Sequence, residues 1–151
     1  MRTGVRIALD LGSVRIGVAR CDSTGTLASP HDVWQVAEPE VLIEQLKSLI
    51  NEYEPIEIVV GLPTDMRGEQ GIAAQNVREQ ARGLQIHFPQ ITWRLVDERL
   101  TTAAARKQLA ASGYTTRTDR KLIDAASAVI LLEDTLEAER RQGVAPGEVV
   151  E

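Results

Sequence analysis

Short apolar runs separated by polar, glycine-containing turns occupy the beginning of the chain in a way that is typical of β-strands. Residues 5–11 and 15–21 are apolar runs separated by a short glycine-containing turn, which predicts a β-hairpin. A third strand is expected within residues 26–36, interrupted or ended near Pro30. The chain therefore opens with three predicted antiparallel strands.

The periodicity then changes to that of helices separated by single strands. In Glu38–Tyr53 the apolar residues recur every three to four positions, which predicts a helix. A short β-branched run bounded by Pro55 and Gly61 indicates a buried parallel strand. The remaining predicted elements are a loop at 62–71, a helix at 72–87, a strand at 91–96, a helix at Thr101–Ala111, and a last helix from Thr118 or Asp119 to about Arg140.

This order, three strands followed by strands that alternate with helices, predicts one mixed five-stranded sheet flanked by helices. Two known α/β folds begin in this way: the ribonuclease H-like fold and each half of the actin-like ATPases. Residues 1–140 are expected to form a single domain, and residues 141–151, which contain two Gly and one Pro, a flexible C-terminal tail.

Composition restricts the class of protein. No apolar run approaches the roughly 18 residues of a membrane span. The N-terminus leads directly into the first strand, so no signal peptide and a cytoplasmic location are expected. The only cysteine, Cys21, excludes an internal disulfide and a zinc–cysteine cluster.

The net charge of −5 argues at first against a nucleic-acid partner. The charge is unevenly distributed, however, because residues 94–121 contain seven basic and three acidic residues. A basic segment within an acidic chain is weak evidence in favour of a nucleic-acid partner.

Candidate chemistry is concentrated where three predicted strands end. Asp10 lies in an apolar strand, where a carboxylate is costly unless it binds a metal, caps a turn or forms an ion pair. Right-handed crossovers would bring the ends of the strands at 5–11, 56–61 and 91–96 to one edge of the sheet. That edge would receive Asp10 and the pair Asp97–Glu98.

Asp124 is a third candidate carboxylate, in a final helix that is otherwise rich in Ala, Ile and Leu. The alternative to a role in the site is that Asp124 forms an exposed ion pair with Arg120 or Lys121. Alternation along a strand puts Asp97 and Glu98 on opposite faces, and alternation alone does not choose between them.

Several carboxylates without a nearby histidine suit hard cations, Mg²⁺ or Mn²⁺. Two such ions can bind a phosphodiester, generate the nucleophile and stabilise the leaving oxygen. Four further residues are candidate phosphate contacts: Ser13, Arg67, Arg99 and Lys121. For Ser13, turn chemistry is an equally good explanation.

Four segments together resemble the signature blocks of a known family, in the same order: ALDLGSVRIGVA, VVGLPTDMRGEQG, VDERLTT and LIDAASAVILL. The family is YqgF/RuvX, bacterial ribonuclease H-like nucleases described as Holliday junction resolvases and as pre-16S rRNA processing nucleases. The similarity spans roughly residues 4–138. The resemblance implies that Asp10, Glu98 and Asp124 are catalytic metal ligands, and it selects Glu98 over Asp97.

We therefore expect a metal-dependent nuclease acting on structured nucleic acid, with maturation of the 16S rRNA 5′ end and junction resolution as rival reactions. Resolution requires two coordinated cuts and would favour a homodimer. The alternatives are an actin-like phosphotransferase or ATPase, which needs a second such domain, and a non-catalytic nucleic-acid-binding module.

Overall fold

The computed structural model describes residues 1–63, 71–97 and 117–151, with the backbone alone for residues 117–124. The first three strands are β1 (Arg6–Leu11), β2 (Arg15–Cys21) and β3 (Ala28–Gln35). They are followed by α1 (Pro39–Tyr53), β4 (Glu57–Leu62), α2 (Ile72–Gln85) and β5 (Thr92–Asp97). Helix α3 (Arg117–Gln142) and a two-residue strand β6 (Glu148–Val149) complete the described chain.

These elements form one mixed sheet with the strand order β3-β2-β1-β4-β5-β6. Strands β1, β2 and β3 are antiparallel, with a register shift in β3 between Pro30 and Asp32. Strands β1, β4 and β5 are parallel neighbours. The predicted hairpin and the predicted parallel crossovers are thus confirmed, whereas the predicted helix Thr101–Ala111 lies outside the described residues.

The sheet has six strands instead of the predicted five. The additional strand, β6, comes from residues 141–151, the range predicted to be a flexible tail. Its residues pair with β5 through Arg94–Val149 and Leu95–Glu148, and the Val150 amide donates to the Trp93 carbonyl at 2.8 Å. The side chain of Val150 is buried. A two-residue strand has too little periodicity for the sequence to predict it.

Alternate side chains of the strands enter two separate cores. One core lies against α1 and α2 and includes Ile7, Leu9, Val60, Trp93 and Leu95. The other core lies against α3 and includes Ala8, Ala19, Val59, Ala128 and Leu132, with Val96 packed against it. Because side chains alternate along a strand, these two clusters determine the face to which each neighbouring residue belongs.

Helix α3 packs across β1, β2 and β3. Its C-terminal end is tied to the start of β1, because the buried Arg6 guanidinium donates to the Glu139 carboxylate. The helix therefore continues in its N-terminal direction towards the carboxyl edge of the sheet. Among the described helices, none combines the length and the apolarity that a membrane crossing requires.

Candidate active site

Asp10 lies next to the last position of β1 and is partly buried. It lies two positions after Ala8, which packs in the α3 core. Alternation along β1 therefore directs the Asp10 carboxylate to the face of the sheet that α3 covers. This placement confirms the expectation that a strand carries Asp10 to the carboxyl edge.

Glycines occupy the strand positions on both sides of Asp10. Gly17 of β2 is its direct cross-strand partner. On the other side Leu9 pairs with Val60, so that Gly61 is the next residue of β4 beside Asp10. The two strand positions level with Asp10 therefore carry no side chain. A glycine within a strand often marks a close approach of another group, a signal that the sequence analysis did not use for Gly17.

The register of β5 assigns Asp97 to the opposite face of the sheet. Trp93 and Leu95 pack in the core against α1 and α2, and Asp97 shares their parity. Val96 packs instead against the α3 core, on the same face as Asp10. Asp97 is exposed at the end of the strand. Three predicted site residues, Arg67, Glu98 and Arg99, lie outside the described residues.

Asp124 and Lys121 occupy positions in the N-terminal part of α3. Asp124 precedes Ala128 by four residues, and Lys121 precedes Ala125 by four, so each lies one helical turn before a buried alanine. Both alanines pack at the sheet-facing side of α3, where Ala128 is fully buried. The backbone thus places both residues on the stretch of helix that leads to the carboxyl edge.

Asp10 and Asp124 each lie a short distance along their own element from a residue of one buried cluster. Ala8 and Ala128 are both members of the α3 core. Asp10 lies about 7 Å along β1 from Ala8, and Asp124 about 6 Å along α3 from Ala128. Both steps lead away from the Arg6–Glu139 contact and towards the same edge. The small alanine side chains permit close packing of helix and sheet here.

The hairpin next to Asp10 is tight and exposed. The Gly12 amide donates to the Arg15 carbonyl at 3.0 Å. A Cβ on Gly12 would lie 2.5 Å from that carbonyl oxygen, so a side chain cannot be added without moving the turn. Ser13 is exposed at the tip of the hairpin, where its hydroxyl is accessible to a ligand.

The donor chemistry fits a hard cation. Among the residues whose side chains are described, no three of His, Cys, Asp and Glu come together as a metal cluster. Asp10 is the predicted ligand with a described side chain, and carboxylate oxygens are the donors that Mg²⁺ and Mn²⁺ prefer. Of the two histidines, His31 packs in a T-shaped arrangement with Tyr53, with the ring centroids 5.6 Å apart, and His87 lines an apolar cavity beside α1 and α2.

A mixed sheet in this strand order, with an aspartate at the end of the first strand and a long helix above it, defines a ribonuclease H-like α/β protein. The family model described as "RuvX: Holliday junction resolvase" matches residues 4–138. The chain belongs to the RuvX family, which the four sequence blocks predicted.

Two curated relatives match this chain over nearly their whole length. A protein of Streptomyces avermitilis named "Putative pre-16S rRNA nuclease" is 46% identical over 151 residues, covering 100% of this chain and 97% of the relative. A protein of the same name from Thermobifida fusca is 41% identical, covering 100% of this chain and 98% of the relative.

Solved structures agree on the fold. Thermus thermophilus RuvC in complex with a Holliday junction substrate has a TM-score of 0.59 at 16% identity, covering 96% of this chain and 99% of that one. A second structure of T. thermophilus RuvC gives a TM-score of 0.55 at 12% identity, covering 95% and 99%. At these identities the similarity establishes the ribonuclease H-like fold.

Proposed function

We propose that this chain is a divalent-metal-dependent nuclease that hydrolyses phosphodiester bonds in structured nucleic acid, and that its reaction is the processing of the 5′ end of pre-16S rRNA. The observation that carries the proposal is the placement of Asp10 at the carboxyl edge, between two glycines and on the α3 face. The full-length relatives named as pre-16S rRNA nucleases supply the substrate. An RNA-processing role is consistent with the expected cytoplasmic location.

In this proposal Asp10, Glu98 and Asp124 hold Mg²⁺ or Mn²⁺ through carboxylate oxygens. When bound, such ions supply positive charge for the transition state and a nucleophile at neutral pH. The glycines beside Asp10 leave room for a phosphate to approach. Ser13, Arg67, Arg99 and Lys121 hold the flanking phosphates and so fix the scissile bond in position.

Junction resolution is the second candidate, because the matching family model is described as a Holliday junction resolvase. It uses the same carboxylates and differs in its substrate, branched DNA, and in its need for a homodimer that makes two cuts. Membership of the RuvX family argues against the third possibility, an actin-like phosphotransferase.

The decisive experiment compares cleavage of a labelled pre-16S 5′-leader RNA and a labelled four-way DNA junction, each with Mg²⁺, Mn²⁺ or EDTA. We expect metal-dependent cleavage of the RNA by the wild type and a loss of at least about 100-fold in Asp10→Asn, because a ligand is lost. Preferential cleavage of the junction would favour the second candidate.

Asp97→Asn is the matched control, because it makes the same chemical change at the same edge on the opposite face of the sheet. It should cleave within about threefold of the wild type. If the wild type cuts neither substrate, or if Asp10→Asn cuts as well as the wild type, a non-catalytic binding module becomes the better interpretation.

A further inference from the structure

The α3 face of the sheet has three layers that run from its amino edge to its carboxyl edge. Arg6 and Glu57 are direct cross-strand partners and form the first layer, which the Arg94 side chain reaches from one level further along the sheet. Two residues further along β1 and β4, Ala8 and Val59 form an apolar second layer, and Val96 packs against the same core at the level of Gly61. The third layer begins with Asp10 and Gly61, so the same strands carry an ionic layer at one end and the candidate active site at the other.

The first layer is a connected network of ion pairs, the amino-edge network, made of Arg2, Arg6, Glu57, Arg94 and Glu139. Arg94 Nε donates to Glu57 Oε2 at 2.6 Å, and Arg2 reaches the same oxygen at 3.2 Å. Arg2 Nε also donates to Glu139 Oε1 at 2.7 Å, and Arg6 pairs with Glu139 Oε2. The network thereby joins β1, β4, β5 and α3.

The network is deeply buried for a set of charges. Glu57 is 0% exposed, Arg6 1% and Glu139 3%. Burial alone would raise the pKa of Glu139, but hydrogen bonds and charges from Arg2 and Arg6 outweigh burial and hold its pKa below the ordinary value. Glu139 therefore stays ionised.

Stability alone is a poor reason for such a network. Apolar residues of similar size often serve a core equally well, and the Oε1 atom of Glu57 is buried without a hydrogen-bond partner in the described part of the chain. Directional contacts do provide what apolar packing lacks, a single preferred register between helix and sheet. The four elements that the network joins are those that carry Asp10, Gly61, Asp124 and the segment leading to Glu98.

We propose that the amino-edge network is a positioning device: it fixes the register of α3 on β1, β4 and β5 and thereby sets the position of Asp124 relative to Asp10. This inference rests on the proposed metal-dependent function. Arg2, Arg6 and Glu139 are positioning residues that act through α3. The apolar layer between the network and the candidate active site transmits their effect, because protein interiors pack densely and do not absorb shifts locally.

The test uses the full-length variant Glu139→Gln, which keeps the shape of the side chain and removes its charge. Its matched control is Glu137→Gln, the same change two residues away, where the exposed carboxylate pairs with Arg140. Arg2→Gln, at a half-exposed position of the network, provides a second perturbation should Glu139→Gln fail to fold. All variants are measured well below their unfolding transitions.

Two measurements are needed. The first is Mn²⁺ affinity, titrated by the electron paramagnetic resonance of the free ion, with Asp10→Asn identifying the site. The second is amide hydrogen exchange in α3 peptides covering residues 125–132, with α1 peptides as the internal reference. For Glu139→Gln and Arg2→Gln we expect Mn²⁺ binding about threefold to tenfold weaker and exchange at 125–132 at least about threefold faster. Glu137→Gln should match the wild type in both.

Unchanged exchange at 125–132 in Glu139→Gln and Arg2→Gln overturns the proposal. Faster exchange with unchanged Mn²⁺ affinity also overturns it, because the network would then only stabilise the fold. If wild-type Mn²⁺ binding does not depend on Asp10, the proposed function fails separately. The exchange data then still decide whether the network holds α3 in register.

Discussion

The two ends of the α3 face use charge in opposite ways. At the amino edge, three arginines pair with two glutamates, and the central carboxylate, Glu57, is fully buried. At the carboxyl edge the proposed ligands are all carboxylates, and Asp10 is only partly buried beside two glycines. Opposite charges can be buried together, whereas a set of like charges needs a cation and access from solvent. The same three strands thus carry a buried ion-pair network at one end and a solvent-accessible candidate active site at the other.

The largest effect is expected from Glu57→Ala at the amino edge. The variant leaves Arg2 and Arg94 without the carboxylate oxygen that they share, and Arg94 is mostly buried. We expect a loss of about 3 kcal/mol in the free energy of unfolding, measured by urea denaturation. Glu137→Ala, the exposed control, should lose less than about 1 kcal/mol. Equal losses of stability in the two variants would show that burial of Glu57 does not make its ion pairs more important than those of the exposed Glu137.

Gly17→Ala tests the open end of the same face. The added methyl group enters the strand position directly opposite Asp10. We expect about tenfold slower cleavage of the RNA leader, because the methyl group occupies space beside the Asp10 carboxylate and displaces the bound phosphate. Gly83→Ala is the control, since a Cβ there meets no atom within 4 Å, and it should leave cleavage unchanged. Full activity in Gly17→Ala would mean that the space beside Asp10 is not used.

The pH dependence of stability should separate Glu139 from its exposed neighbour. Because the folded-state pKa of Glu139 is held below its unfolded value of 4.5, its contribution is present above that pH and is lost as the pH falls through the folded-state pKa. The stability difference between wild type and Glu139→Gln, from urea unfolding, should therefore shrink below about pH 4.5. The same pH dependence in Glu137→Gln would contradict this assignment.

The smallest effect is expected from Lys121→Ala. Removal of one phosphate contact should reduce the slope of log binding constant against log salt concentration by about one unit and weaken RNA binding a few-fold. Lys47→Ala removes an exposed charge from α1, which lies on the other face of the sheet. Its slope should equal that of the wild type. An unchanged slope in Lys121→Ala would assign Lys121 to a protein ion pair.

Much of the fold followed from local patterns. The two apolar runs on either side of the Gly12 turn predicted the β1–β2 hairpin, and helical spacing predicted α1, α2 and α3 to within a few residues. Asp10 was recognisable because a carboxylate is costly in an apolar strand. Alternation alone could not choose between Asp97 and Glu98. It puts the two residues on opposite faces of the sheet but does not say which face packs against which helix. Packing of Val96 and Leu95 in different cores supplies that information for β5.

The sequence by itself determined strands β1 to β5, the described helices and the family, and it suggested the candidate ligands, because each of these inferences rests on local residue patterns. The tertiary structure alone decided which charges are partners: Arg6 and Glu139 are 133 residues apart, and Arg94 and Glu57 are 37 apart. It also decided that glycines flank Asp10 and that residues 148–149 join the sheet. Contacts between distant segments depend on how whole elements pack, and no local pattern encodes that packing.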